Sequence, residues 1–171
     1  MKGEGLVAIT ALPKLEELRL CMAQHMADAD AELLSCMPNL HSLDLECGSI
    51  DAPGVAYVVT NPSLTHLSLS SQVHADALAP LTTAIQLNAL HLECPDITDA
   101  FFGYLTALVA LTALSVTGNH DITADGIAEL TSLKALRFVD VSTCSGVDIE
   151  MLSDVVALRG VVFAGRGIEW Q

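Results

Sequence analysis

The chain has 171 residues, 51% of them hydrophobic but only 4% aromatic, and 7 Lys and Arg stand against 21 Asp and Glu for a formal net charge of -14. That length supports one domain, 1–171, with a sizeable aliphatic core. From Leu20 to Leu133 there is no Lys or Arg among thirteen acidic residues, so nucleic acid, whose phosphates need cations, and anionic membrane surfaces are not expected partners.

In chain order, GEGLVAITALP (residues 3–13) matches the helical half of a repeating unit, as if the chain starts inside one. A leucine triplet follows, Leu15, Leu18 and Leu20, with spacing 1, 4, 6. It recurs as Leu40, Leu43, Leu45, then Leu64, Leu67, Leu69, then Leu87, Leu90, Leu92, then Leu111, Leu114, Val116. The last two are Leu136, Val139, Val141 and Leu158, Val161, Phe163, giving first-position spacings of 25, 24, 23, 24, 25 and 22 residues. Around each triplet apolar and polar residues alternate, the period of a strand. Between triplets, stretches such as DADAELLSCM, TDAFFGYLTALV, TADGIAELTSL and DIEMLSDVVAL carry the three-and-four spacing of a helix of roughly ten residues.

Helix starts are expected at Asp28 or Asp30, Asp51, Thr98 or Asp99, Thr123 and Asp148, whose side-chain oxygens can accept from first-turn amides. Pro53 and Pro80 fit a first turn, where no amide donor is needed, although Pro80 also points to a third helix that begins late or is irregular. Pro38 and Pro62 should close helices ahead of the next strand. Regular structure is expected to end at the seventh strand, with GRGIEWQ beyond it and neither end strongly capped.

Strand, helix and strand joined by short turns force parallel pairing of adjacent strands by right-handed crossovers. At 22–25 residues per unit the units stack into a curved solenoid. Helices are wider than the strand spacing of ~4.8 Å, so they take the convex face and the strands the concave face. The leucines at positions 1, 4 and 6 fill the interior.

Over residues 5 to 165 the sequence resembles the leucine-rich repeat family. Cys144, at position 9 of the sixth unit where Asn119 stands in the fifth, resembles the cysteine-containing subfamily of F-box-type substrate receptors. So do Asp96-Ile97-Thr98 and Asp121-Ile122-Thr123. Residues 54 to 70, GVAYVVTNPSLTHLSLS, are more similar to ribonuclease-inhibitor-type repeats. Cys47 and Cys94 fall one position early, and the third unit has Gln72 instead. The resemblance implies an α/β horseshoe that binds protein, with substrate recognition for a ubiquitin ligase as one version.

In such a solenoid positions 3, 5 and 7 face the concave surface. The position-3 row is Glu17, Ser42, His66, Ala89, Ala113, Phe138, Gly160. The position-5 row is Arg19, Asp44, Ser68, His91, Ser115, Asp140, Val162, and the position-7 row is Cys21, Glu46, Ser70, Glu93, Thr117, Ser142, Ala164. Asp44, Ser68 and His91 lie side by side but in the wrong order for a hydrolase, because a triad needs His between Ser and the carboxylate. A zinc site built from His66, His91, Glu93, Asp44 and Glu46 is disfavoured, because side chains on a flat sheet diverge as often as they converge and separate solvated polar residues are the better reading. No catalytic residue, metal or cofactor is therefore expected.

Five cysteines without a CxxC pair read as reduced thiols of a cytoplasmic protein rather than a disulfide framework. Cys47, Cys94 and Cys144 should pack at the turn leaving each strand, while Cys21 faces out. No apolar run reaches the ~18 residues of a membrane span, and Glu4 interrupts the N-terminal apolar stretch, so no signal peptide is read.

The expected function is a non-enzymatic interaction module whose acidic concave face holds a basic or polar protein segment. The residues expected to bind the partner are Asp44, Glu46, His66, His91, Glu93 and Phe138. The loops at Gln24-His25, Gln72-Val73-His74 and Asn119-His120-Asp121 should rim one edge. The alternative is a structural subunit of a large assembly, associating end to end through uncapped solenoid ends beside Trp170.

Overall fold

The computed structural model describes residues 3–21, 26–47, 50–71, 73–94, 96–153, 160–163 and 166–169. The expectations attached to Gln24, His25, Gln72, Leu158, Ala164 and Trp170, and to the second half of DIEMLSDVVAL, lie outside these residues. Seven strands run parallel in chain order: β1 (Glu17–Leu20), β2 (Ser42–Cys47), β3 (His66–Ser71), β4 (Ala89–Glu93), β5 (Ala113–Val116), β6 (Phe138–Asp140) and β7 (Gly160–Phe163). The register is that of the leucine pattern, with Leu43, Leu67, Leu90, Leu114 and Val139 as successive partners. An eighth strand, β8 (Arg166–Glu169), pairs antiparallel with β7. Regular structure thus continues past the expected seventh strand, and the outer edge of β7 is hydrogen-bonded rather than open.

The interior is one aliphatic column from Leu6 to Leu152, with the position-1 leucines Leu40, Leu64, Leu87, Leu111 and Leu136 fully buried. Two aromatics depart from the aliphatic expectation. Phe101 and Phe102 are buried in the fifth helical segment, their rings edge to face at 5.6 Å, a favoured aromatic geometry. Among the described residues, each unit closes with the same four-residue turn. The amide of each position-1 leucine bonds the carbonyl three residues back, as in Leu40 to Met37, Leu64 to Asn61, Leu87 to Ala84 and Leu111 to Leu108. Pro13, Pro38 and Pro62 occupy the second turn position, where the ring presets φ.

The helical halves change form along the chain. The first three are α-helical: α1 (Gly3–Thr10), α2 (Asp28–Ser35) and α3 (Ala52–Val59). The next is a nine-residue 3-10 segment, Ala75–Thr83. It is followed by Asp99–Phe101 in 3-10 form leading into α4 (Phe102–Leu105), α5 (Ala124–Glu129) continuing as 3-10 over Leu130–Ser132, and Ile149–Leu152 in 3-10 form. Pro80 therefore sits inside a 3-10 segment and not in a first turn. Without its amide the α-helical ladder cannot continue there, and the 3-10 form advances ~2.0 Å per residue against 1.5 Å, so a short unit still crosses the convex side.

Helix starts are bonded differently from the sequence expectation. Thr123 and Asp148 do accept from Asp125 and Glu150 amides at 3.3 and 3.4 Å. The N-cap of α2, however, is Ala27, whose amide donates to the Asp30 carboxylate at 3.0 Å. Asp51 and Thr98 stand at N-cap positions without a side-chain cap bond. Asp28 and Asp99 act across repeats instead. The Asp28 carboxylate accepts from the Asp51 amide at 3.0 Å, and Asp99 accepts from the Thr123 amide at 2.7 Å and its hydroxyl at 2.6 Å.

Each of these carboxylates rests against a glycine in the first turn of the next helix. A Cβ on Gly54 would lie 2.4 Å from Asp28 Oδ1, and one on Gly126 would lie 2.4 Å from Asp99 Oδ1 and 3.0 Å from Asp99 Cα. On the opposite edge buried Asn61 ties repeats together. Its Nδ2 donates to the Leu34 and Met37 carbonyls, both at 2.9 Å, and its Oδ1 accepts from the Ser63 amide at 2.9 Å.

Two substitutions test the Asp–Gly contact. Asp99→Ala is expected to lower the unfolding free energy by about 1.5–3 kcal/mol, the range for hydrogen bonds to charged groups. Gly126→Ala should cost about 1–3 kcal/mol by overpacking. Urea denaturation should show the double variant losing less than the sum, because removing the carboxylate opens part of the space the methyl needs.

Candidate functional site

The concave face is built by the odd positions of the strands, which pair repeat by repeat in the expected rows. Along position 3 the partners are Glu17, Ser42, His66, Ala89, Ala113 and Phe138, and along position 5 they are Arg19, Asp44, Ser68, His91, Ser115 and Asp140. Glu46, Ser70 and Glu93 pair along position 7. Sheet alternation puts the leucines of the same strands inside, so the face carries hydroxyls, imidazoles, carboxylates and methyls over a rigid floor.

Two hollows lie on it. One of about 320 Å³ spans Asp44, His66, Ala89, His91, Ala113 and Phe138. The other, about 350 Å³, is lined by Arg19, Asp44, Glu46, Ser68, Ser70, His91 and Glu93. All six residues expected to form the partner surface thus border one hollow or the other. Phe138 is 38% exposed, unusual for a large apolar ring with a core available behind it.

Arg19 Nε meets Asp44 Oδ2 at 2.9 Å, and this neighbouring charge is the first cause raising the guanidinium's pKa above its already high ordinary value. Arg19 is largely exposed and Asp44 half-buried, so solvent screens the pair and it contributes little to stability. His91 Nδ1 and Ser115 Oγ share a hydrogen bond of 2.8 Å. Asp140 lies on the far side of Ser115 and is engaged with the amide and hydroxyl of Ser142. Serine again stands between histidine and carboxylate, the order that a relay through imidazole does not use. Among the described residues no group of three or more His, Cys, Asp or Glu is placed to hold a metal ion.

Cys94 and Cys144 are buried where the strands end. Their thiols donate to carbonyls of the preceding unit, Cys94 to Leu69 at 3.5 Å and Cys144 to Val116 at 3.3 Å. Asn119 does the equivalent work in the fifth unit, accepting from the Ile97 amide and donating to the Thr117 carbonyl, both at 2.9 Å. Cys21 is exposed on the strand exit, Cys36 is exposed at the end of α2, and the Cys47 side chain lies outside the described residues. On the rim His74 Nδ1 approaches Asp96 Oδ2 at 3.4 Å, and His120 Nδ1 meets Ser145 Oγ at 2.9 Å.

Two features escape a leucine-based reading. Thr143 adopts φ 63° at the position where the preceding unit has Gly118 at φ 78°. A β-branched residue there is uncommon, and its hydroxyl accepts from the Gly118 amide at 2.9 Å. The second is an exposed row on the edge opposite the helix starts: Pro13, Pro38, Pro62, Ile85, Val109 and Lys134. Ile85 and Val109 are 60% and 69% exposed. No Asp or Glu occurs in 52–75, 77–92 or 100–120, so carboxylates gather on the concave face and near the helix starts. The signal for this edge was the recurrence of proline two residues before each of the first three leucine triplets.

Burial raises the Cys144 thiol above its ordinary value. The unfolded thiol ionises near pH 8.5, while the folded one keeps its proton. The contribution to stability is therefore complete below that pH and falls as pH rises towards the folded value. Urea midpoints should drop from pH 7.5 to pH 9.5, and Cys144→Ala should shrink that drop. Labelling with a thiol reagent at pH 7.5 should modify Cys21 and Cys36 before Cys144.

No protein-family model matches the sequence, and no curated protein resembles it closely enough to count as a relative. Solved structures do share its shape. An internalin (inlF) from Listeria monocytogenes is 22% identical and superposes with a TM-score of 0.63 over 91% of this chain. The chain spans 42% of that internalin's length. Internalin C2 from the same organism is 19% identical, with TM-score 0.48 over 95% of this chain and 84% of its own, and the leucine-rich repeat domain of APL1B is 14% identical, with TM-score 0.41 over 95% and 68%. At these identities the likeness to the first internalin speaks for the fold alone. Together with the strand register, it makes the fold a leucine-rich repeat solenoid.

Proposed function

We propose that this chain is a non-enzymatic protein-interaction module that holds a basic or polar segment of a partner protein on its concave face. The observation that carries the reading is the makeup of that face. Asp44, Glu46 and Glu93 border one hollow whose floor is Ser68 and Ser70 and whose one cation, Arg19, is already paired with Asp44. Beside it stands an exposed Phe138, and aromatics are enriched among residues that carry binding energy. Unpaired carboxylates steer cationic partners and set specificity. Exposed thiols at Cys21 and Cys36 fit a reducing compartment such as the cytoplasm. Substrate recognition for a ubiquitin ligase is one setting for such a module, and it rests on the resemblance of the repeats.

Affinity capture from the native source tests the reading. The wild-type chain should retain partners that the triple variant Asp44→Lys, Glu46→Lys, Glu93→Lys loses, while circular dichroism stays unchanged because all three side chains are on the surface. Equal capture by both proteins would remove the concave face from the account.

A further inference from the structure

We infer, building on the segment-binding role proposed above, that the concave face takes an extended peptide segment with an aliphatic side chain and, four residues along, an arginine or lysine. The position-3 row steps down from His66 to the methyls of Ala89 and Ala113 and up again to Phe138, in consecutive repeats. The resulting hollow of about 320 Å³ has an imidazole wall, a phenyl wall and a methyl floor. Ser42, Asp44, Ser68, His91 and Ser115 reach its margin, but most of its exposed lining is apolar, which favours an aliphatic side chain.

The acidic hollow is offset from it towards the strand ends. There Glu46, Ser70 and Glu93 are consecutive partners, so the two glutamates stand two strand spacings apart, about 9.6 Å between backbones, with a serine between them. Arg19 pairs with Asp44, and among the described residues no Lys or Arg lies within ion-pair distance of Glu46 or Glu93. A guanidinium or ammonium entering from the partner finds two carboxylates and the hydroxyls of Ser68 and Ser70. Arginine suits it best, since its planar fork bonds carboxylates in pairs.

The offset sets the spacing of the motif. It is four residues along the strands, from Ala89 and Ala113 at position 3 to Glu46 and Glu93 at position 7, and one to two repeats across them, roughly 15 Å in all. Side chains i and i+4 of an extended segment share a face ~13 Å apart, and the length of a lysine or arginine covers the difference. The same arrangement assigns Arg19 a role: it is the chain's own cation at the edge of this hollow, competing with the partner's for Asp44.

A random heptapeptide library displayed on phage and selected against the full 171-residue chain tests this, with synthetic peptides of the enriched sequences titrated by fluorescence polarisation. The expected peptides share an aliphatic residue followed four positions later by Arg or Lys. Their affinity should fall about tenfold in Glu46→Gln and in Glu93→Gln and about tenfold in Phe138→Ala. It should rise about two- to fivefold in Arg19→Ala, a gain that a merely structural role for these residues would not give.

Peptides that need the concave residues but lack the basic residue, or carry it at another spacing, would overturn this inference and leave the concave-face reading standing. Peptides that bind all four variants like wild type would overturn both. Failure to enrich any peptide would overturn the extended-segment inference, while the capture experiment above would still decide the concave-face reading on its own.

Discussion

The whole structure depends on burying one leucine set per repeat against its neighbours. A single strand-and-helix unit of this length has no second layer of its own to cover positions 1, 4 and 6. Stacking supplies it: Leu43, Leu67, Leu90 and Leu114 lie in register, each closing the interior of the unit before it. Because the side-chain period of a strand is two, slipping by one residue would turn this set outward. The register is thus fixed by hydrophobicity, and the composition of the concave rows is free to vary. That freedom is where function can be placed.

Polar bonds refine what the leucines impose. Asp28 and Asp99 hold the first amide of the next unit's helical half, Asn61 collects the last carbonyls of the unit before it, and Asn119 and the cysteines tie the strand exits. These groups lie where the chain turns, and turning leaves backbone donors and acceptors without a ladder. Each satisfies such a group in an adjoining unit, so repeats are coupled by directional contacts as well as by the core. The distribution of charge follows the same geometry. Acids near the helix starts complement the positive ends of the peptide dipoles, while the opposite edge, with Ile85 and Val109, has none in its central repeats.

The leucine period alone made the parallel strands and their register legible, and with them the concave rows including the Arg19–Asp44 neighbours. It could not show the antiparallel β8, because GRGIEWQ has no leucine spacing and Arg166–Glu169 is held by β7 through backbone bonds. Nor could it separate 3-10 from α-helical segments, since both keep apolar residues three apart; only Pro80 hinted at the difference. The helix-start acids were assigned to their own helices because capping is usually local. The glycines of DAPG and TADG, Gly54 and Gly126, mark the cross-repeat alternative, but their meaning emerges only once the Asp28 and Asp99 carboxylates are seen against them. For the site, sequence supplied which residues share a face, while the two hollows and their offset required side-chain positions.

The most direct measurement is side-chain NMR of the chain titrated with a partner or selected peptide. The account predicts that the imidazole resonances of His66 and His91 and the ring of Phe138 shift together, while His74 and His120 on the rim and Ile85 and Val109 on the far edge stay unchanged. Shifts confined to Ile85 and Val109, with the concave histidines and Phe138 unmoved, would contradict it and place recognition on the edge of the solenoid.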